Sequence, residues 1–199
     1  MHGLINKAIQ AFVTDSFGVG TWHQVLSQAG LAADLAGEGF EAMRLYDDAI
    51  THATLAAASA VLDRPRESLL EDLGTYLISN ERLEALRRLL RFGGVSFTDF
   101  LYSLEDLQGR SHMAVADLAL PELILDEGEA GRFRLTCQDC PDGFGHVMVG
   151  ILRALADDYG ALAVLDHEGR SPSGHEAIAI DLFDPSFHAG RHFDLVAGG

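Results

Sequence analysis

Positive charge is scarce in this sequence. Its 199 residues carry 14 Lys and Arg against 30 Asp and Glu, a formal net charge of −16, and Lys7 is its one lysine. This argues against a nucleic-acid partner, because phosphate binding needs a basic surface. An anionic membrane would repel the chain as well. One lysine also removes lysine-based phosphate loops and Schiff-base chemistry from every position but 7. Cysteine is scarce too: Cys137 and Cys140 are too few for a disulfide scaffold. No apolar run approaches the roughly 18 residues that span a bilayer. The opening MHGLINKAIQAFVTDSFG places Asn6, Lys7 and Gln10 inside its apolar stretch. It lacks the charged start, apolar middle and cleavage site of a signal peptide. A cytoplasmic location is expected, and the acidic balance favours solubility and basic partners.

What is present is an ordinary globular composition. Hydrophobic residues make up 48% and charged residues 22%, in a length that suits one domain or a domain with two lobes. The first two-thirds have a helical period. Leu4, Ile5, Ile9, Phe12 and Val13 recur at helical spacing, and Gly18 to Gly20 are expected to stop that helix. Gly18-Val19-Gly20 has no strand before it and no later glycine or Lys-Ser/Thr pair, so it reads as a helix stop and not a phosphate loop. Further helices are predicted over about 22–29, 46–62 and 67–79, with a break at Asp63-Arg64-Pro65. Asn80 is expected to cap a helix through Leu90, closed by Gly93-Gly94. Ser96 or Thr98 would cap the next, which carries Phe97, Phe100, Leu101 and Leu104.

The last third alternates as strands do. Pro121 to Leu125 and Arg132 to Cys137 flank a turn, and Ala161 to His167 and Glu176 to Phe183 flank a Gly/Ser/Pro loop at 169–174. An amphipathic helix over 143–159, with Val147, Val149, Ile151 and Leu155, lies between the two pairs. The fold class expected is α+β: a helical N-terminal lobe, then a mainly antiparallel four-stranded sheet with one long helix. The lobes are expected at about 1–65 and 66–184, with a mobile tail at 185–199.

The densest pattern is Phe100-Leu101-Tyr102-Ser103-Leu104-Glu105-Asp106-Leu107-Gln108, followed by Pro121. It resembles the signature helix of the H-NOX family, the heme domains that sense nitric oxide or oxygen, which reads Phe-Leu-x-x-Leu-Asp-x-Leu/Val-His. Other blocks agree in order and spacing. The opening MHGLINKAIQAFV with Trp22, Arg44-Leu45-Tyr46-Asp47-Asp48, Leu55-Ala56-Ala57-Ala58-Ser59, Gly74, Gly143-Phe144 and Val149-Gly150-Ile151 all resemble the family, including the beta subunit of soluble guanylate cyclase. The resemblance implies the H-NOX fold, heme b as cofactor between the lobes, nitric oxide as signal, and a cyclase or kinase partner acted on in trans. It places Gln108 at the heme ligand and Leu104 and Pro121 against the heme, Pro121 as the proline that distorts it. Val147 falls near the distal oxygen-binding tyrosine, and an apolar residue there would suit nitric oxide over oxygen.

The departures from the family pattern are specific. Its iron-binding histidine is replaced by Gln108, and an amide is a poor iron ligand beside imidazole. Its Tyr-x-Ser-x-Arg motif, which hydrogen-bonds the heme propionates, is replaced by Cys137, Asp139 and Pro141. Proline cannot supply arginine's charged fork, and an aspartate repels a carboxylate. His112, four residues beyond Gln108, is one turn further along the same face and offers another imidazole. The competing reading is a solvent-facing histidine near a helix end. Two functions follow: a heme-dependent nitric oxide sensor with an unusual ligand, or a heme-free interaction or apolar-ligand-binding module on the same fold.

Other signals carry less. Cys137-Gln138-Asp139-Cys140 has the spacing of a redox or zinc pair, but no second cysteine pair completes a zinc site, and acidic neighbours would raise the thiol pKa. His2, His52 and His146 read as structural, and His188 and His192 as incidental in a Gly-rich tail. No Ser/His/Asp order or paired carboxylates stand out, so catalysis is not expected.

Overall fold

The computed structural model describes residues 1–35, 39–80, 94–114 and 120–183. Helix α1 (Gly3–Phe17) starts at His2, whose Nδ1 accepts the Leu4 N–H at 3.2 Å, and buries Asn6, Ile9, Phe12 and Val13. Gly18, at φ +93°, is the whole stop: the next helix, α2 (Val19–Gln28), begins at once. Val19 and Gly20 therefore open α2 instead of extending the expected stop. A residue with a side chain rarely adopts that φ, so one glycine suffices to turn the chain. Helix α3 (Asp48–Leu62) is capped by Asp47, whose carboxylate accepts from Ala49 N at 2.9 Å. It ends on Asp63, left-handed at φ +50°. Pro65 then precedes α4 (Arg66–Ser79). The helix predicted to run from Asn80 to Leu90 and the tail with His188 and His192 lie outside the described residues.

Ser96 caps α5 (Phe97–Ser103) in a capping box: Asp99 N donates to Ser96 Oγ and Ser96 N to Asp99 Oδ2, each at 3.1 Å. The helical path then tightens into a 3₁₀ turn at Leu104–Asp106 before α6 (Leu107–Ala114). In 3₁₀ geometry residues three apart eclipse, and this points Leu104 and Leu107 to the same side. Both are buried.

Four strands follow: β1 (Glu122–Glu127), β2 (Arg132–Gln138), β3 (Leu162–Arg170) and β4 (Glu176–Phe183). They pair antiparallel in the order β1-β2-β4-β3. Helix α7 (Phe144–Tyr159) connects β2 to β3 and covers the inner face of the sheet. The period of two sets Phe133, Leu135 and Cys137 of β2, with Glu176, Ile178 and Ile180 of β4, toward that cover.

Two apolar cores result. Ile9, Phe12, Val13, Trp22, Leu55 and Leu73 belong to the one held by α1–α4. Phe100, Leu104, Leu135, Met148, Leu152 and Ile180 belong to the one under the sheet. Each such side chain stabilises the fold by about 1.5–3 kcal/mol when fully buried. Leu77 and Val147 pack against both cores and join them. Between them α4 and α7 approach backbone to backbone: a β-carbon on Gly74 would overlap Val147 O, and one on Gly150 would overlap Glu71 O.

Candidate functional site

The signature positions divide between the core and the surface. Leu104 is sealed at 0% exposure, with Phe100, Leu101, Leu152 and Leu155 equally closed around it. Gln108 is exposed, and its Nε2 donates to the carbonyl oxygen of Leu120 at 2.9 Å. Its amide thus ties α6 to the residue before Pro121, which is itself half-buried. His112 is exposed in the last turn of α6. Ser111 in the same turn is buried, and its hydroxyl donates to Gln108 O at 2.8 Å. Val147 is half-buried at the joint of the two cores.

The stretch after β2 is equally dispersed. Cys137 is fully buried in the middle of the sheet, opposite Leu123 on one side and Glu176 on the other. Asp139 is exposed at φ +44°, and its N–H donates to His175 Nδ1 at 3.0 Å. Pro141 is exposed. Both cysteines are free thiols. Burial, with Cys140 and Glu176 nearby, pushes the Cys137 thiol up to about 12. Burial and Glu176 raise Cys140 as well, against the opposing pull of Arg170. Neither thiol is poised as a nucleophile. Among the described residues no group of three or more His, Cys, Asp or Glu side chains has metal-site geometry.

The best-organised polar site is one that the sequence reading missed. Glu176 is 1% exposed, and four donors reach its carboxylate. Gly143 N and Arg170 Nη1 donate to Oε1 at 2.8 and 2.9 Å. Gly145 N donates to Oε2 at 2.7 Å, and His167 Nε2 lies 3.2 Å from the same oxygen. Burial alone would raise this carboxyl, but the bonds from Gly143, Gly145, Arg170 and His167 outweigh it and leave the pKa lowered. The two glycine amides are the open N-terminus of α7, where a negative charge is favourable. One signal was available: in Glu-Ala-Ile-Ala-Ile the glutamate takes the inward position of the apolar alternation, and Gly-Phe-Gly opens the helix two elements earlier in the chain.

The Haem-NO-binding family (HNOB) matches residues 2–165. The chain belongs to this H-NOX family. Soluble guanylate cyclase gcy-31 of Caenorhabditis elegans is 22% identical over 158 residues, which is 79% of this chain and 22% of that protein. The guanylate cyclase soluble subunit beta-2 of Rattus norvegicus is 26% identical over 104 residues, 50% of this chain and 15% of that one. The chain therefore spans about a fifth of the length of the cyclases it matches. The Fe(II) unliganded H-NOX protein from K. algicida superposes with a TM-score of 0.76 at 17% identity, covering 92% of this chain and 97% of that one. The S. oneidensis H-NOX protein in its Fe(II)NO state gives 0.73 at 15%, covering 92% of this chain and all (100%) of that one. The α+β architecture is thus the H-NOX fold.

Heme binding is a property of the family. The amide of Gln108 is spent on Leu120 O, and no arginine stands at 137, 139 or 141. His146 and His167, both mostly buried, stack on each other and contact Glu71 and Glu176. Phe100, Leu104 and Met148 are packed into the closed core under the sheet.

Proposed function

We propose that this chain is a regulatory H-NOX domain that works without a histidine-ligated heme and controls a separate signalling protein of the cyclase or kinase type. Family membership supports the regulatory role. The observation that carries the heme-free reading is the Gln108 amide, held in a hydrogen bond to Leu120 O instead of facing the interior. A neutral amide oxygen is a weak donor to iron, so even a freed Gln108 would not replace imidazole. The family's response to nitric oxide runs through an iron–histidine bond, and these residues offer none. His112, exposed at the end of α6, does not supply it.

What remains for regulation is the joint between two cores at Leu77 and Val147, backed by the close α4–α7 contact. An input that shifts one core moves the other through that joint. A small apolar cleft lined by Ile9, Phe12, Val13, Leu55, Leu69 and Leu73 opens in the helical lobe.

Hemin titration of the purified protein, followed by the Soret band near ~400 nm with and without nitric oxide, tests the reading. Weak, non-saturating absorbance is expected. Saturable one-to-one binding with a nitric oxide shift would overturn it and return the chain to the heme sensors.

A further inference from the structure

Two imidazoles outside the signature lie face to face between the helical lobe and the sheet. His146, in the first turn of α7, and His167 of β3 stack with ring centroids 3.9 Å apart and planes at 27°. Their side chains are mostly buried, at 17% and 12% exposure. Each ring meets a carboxylate from a different element. His146 Nδ1 is 3.3 Å from Glu71 Oε1 on α4, and His167 Nε2 is 3.2 Å from Glu176 Oε2 on β4. An arginine balances each carboxylate: Arg153 Nη2 donates to Glu71 Oε2 at 3.1 Å, and Arg170 Nη1 to Glu176 Oε1 at 2.9 Å. The other charged groups near the α7 start are Arg66 and Asp142, paired at 2.5 Å, and His52, which acts on Asp142. The Cys140 thiol beside Arg170 is kept protonated by burial.

The hydrogen bonds assign the protons. A carboxylate only accepts, so His146 carries its hydrogen on Nδ1 and His167 on Nε2. His167 Nδ1 accepts the Gly169 N–H at 3.3 Å. His167 is therefore complete as a neutral ring. A proton on its Nδ1 would expel the Gly169 N–H, at the point where the β3–β4 register shifts between His167 and Arg170. His146 Nε2 keeps a lone pair, so a proton adds there without breaking a bond and creates a cation against Glu71.

We propose that the His146–His167 stack is a one-proton clasp between α4, α7 and the sheet: His146 takes the proton, and His167 stays neutral. The charged His146 tightens α7 on α4 through Glu71. A second proton is opposed by a like charge on a ring 3.9 Å away and by loss of the Gly169 bond. Where it is forced on, the bulge of β3 opens. The clasp makes the packing of the helical lobe on the sheet depend on pH, and it is independent of whether any ligand binds.

The order of protonation is read in the native full chain by two-bond ¹H–¹⁵N correlation of the imidazoles from about pH 8 to about pH 5. His146→Gln and His167→Gln assign the signals. On acidification His146 is expected to take the imidazolium pattern while His167 keeps its neutral Nε2–H pattern. Glu71→Gln is expected to favour the neutral His146 ring, because the carboxylate 3.3 Å from Nδ1 is gone. Protonation of His167 first, titration of both rings together, or no protonation of His146 before unfolding would each overturn the clasp.

Discussion

The amide of Gly145 donates to Glu176 Oε2 at 2.7 Å, and no β-carbon fits between them. A methyl group at position 145 would lie 2.7 Å from that oxygen and 2.6 Å from His167 Nε2. The helix start, the buried carboxylate and the imidazole are therefore locked in one arrangement by the smallest residue. Gly145→Ala is expected to destabilise the fold by about 1–3 kcal/mol, as overpacking of a tight interior does. Urea denaturation checks this: the midpoint falls with little change of slope.

Glu176 itself should be the most sensitive single carboxylate described here. Glu176→Gln leaves Arg170 without its charge partner and turns an amide N–H₂ toward at least one of the donors. A loss of about 1–3 kcal/mol is expected, since the buried N–H groups of Gly143 and Gly145 lose a charged acceptor, whereas the exposed Arg170 is hydrated instead. The pH dependence follows from its lowered pKa. A carboxyl whose folded value lies below its ordinary 4.5 stabilises the fold above 4.5, and that contribution is lost as pH falls through the folded value. Wild type should therefore lose stability more steeply than Glu176→Gln on acidification below 4.5. Thermal unfolding of both proteins along a pH series measures the difference. Parallel curves would contradict it.

Gly74 and Gly150 make a second tight contact, where the α4 and α7 backbones meet. A β-carbon at either position meets backbone atoms, which cannot swing aside as a side chain can. Gly150→Ala is expected to push the helices apart at a cost of about 2–3 kcal/mol, near the upper end of the overpacking range. Gly20, with open space around it, provides the control, because alanine there meets nothing within 4 Å. Gly20→Ala in the first turn of α2 should be neutral or stabilising. Equal effects at the two sites would show that helix propensity, and not close approach, governs both.

Restoring a histidine at the signature position should not restore a heme site. Gln108→His gives up the bond to Leu120 O, worth about 1 kcal/mol, and supplies an imidazole on an exposed turn. The sealed Leu104 and Phe100 behind it, and the lack of an arginine at 141, remain. Hemin titration of the variant is expected to give no saturable Soret band. Tight capture by this one substitution would mean that the cavity persists and only the ligand was lost.

The two cysteines should be inert in the folded protein. With Cys137 at about 12 and Cys140 raised, almost no thiolate exists near neutral pH. A disulfide-exchange reagent is expected to label both thiols quickly in denaturant and far more slowly under native conditions. Rapid native labelling of Cys140 would reopen a redox role.

Local pattern alone determined most of the elements. The period of two in Arg132 to Cys137 and Glu176 to Phe183, the helical spacing in α1 and α7, and the Ser96 cap are short-range properties of the chain. The blocks from Phe100 to Pro121 and around Gly150 were enough to point to the family. The break of the signature helix at Leu104–Asp106 was not legible, because packing of Leu104 and Leu107 into one core decides it. Nor was the fate of Gln108: its identity argues against iron, but only the return of the chain to Pro121 brings Leu120 O within reach. The Glu176 site joins residues 143, 145, 167, 170 and 176 from three elements. A buried charge is tolerable only where several donors converge on it, and that convergence is a property of the tertiary structure.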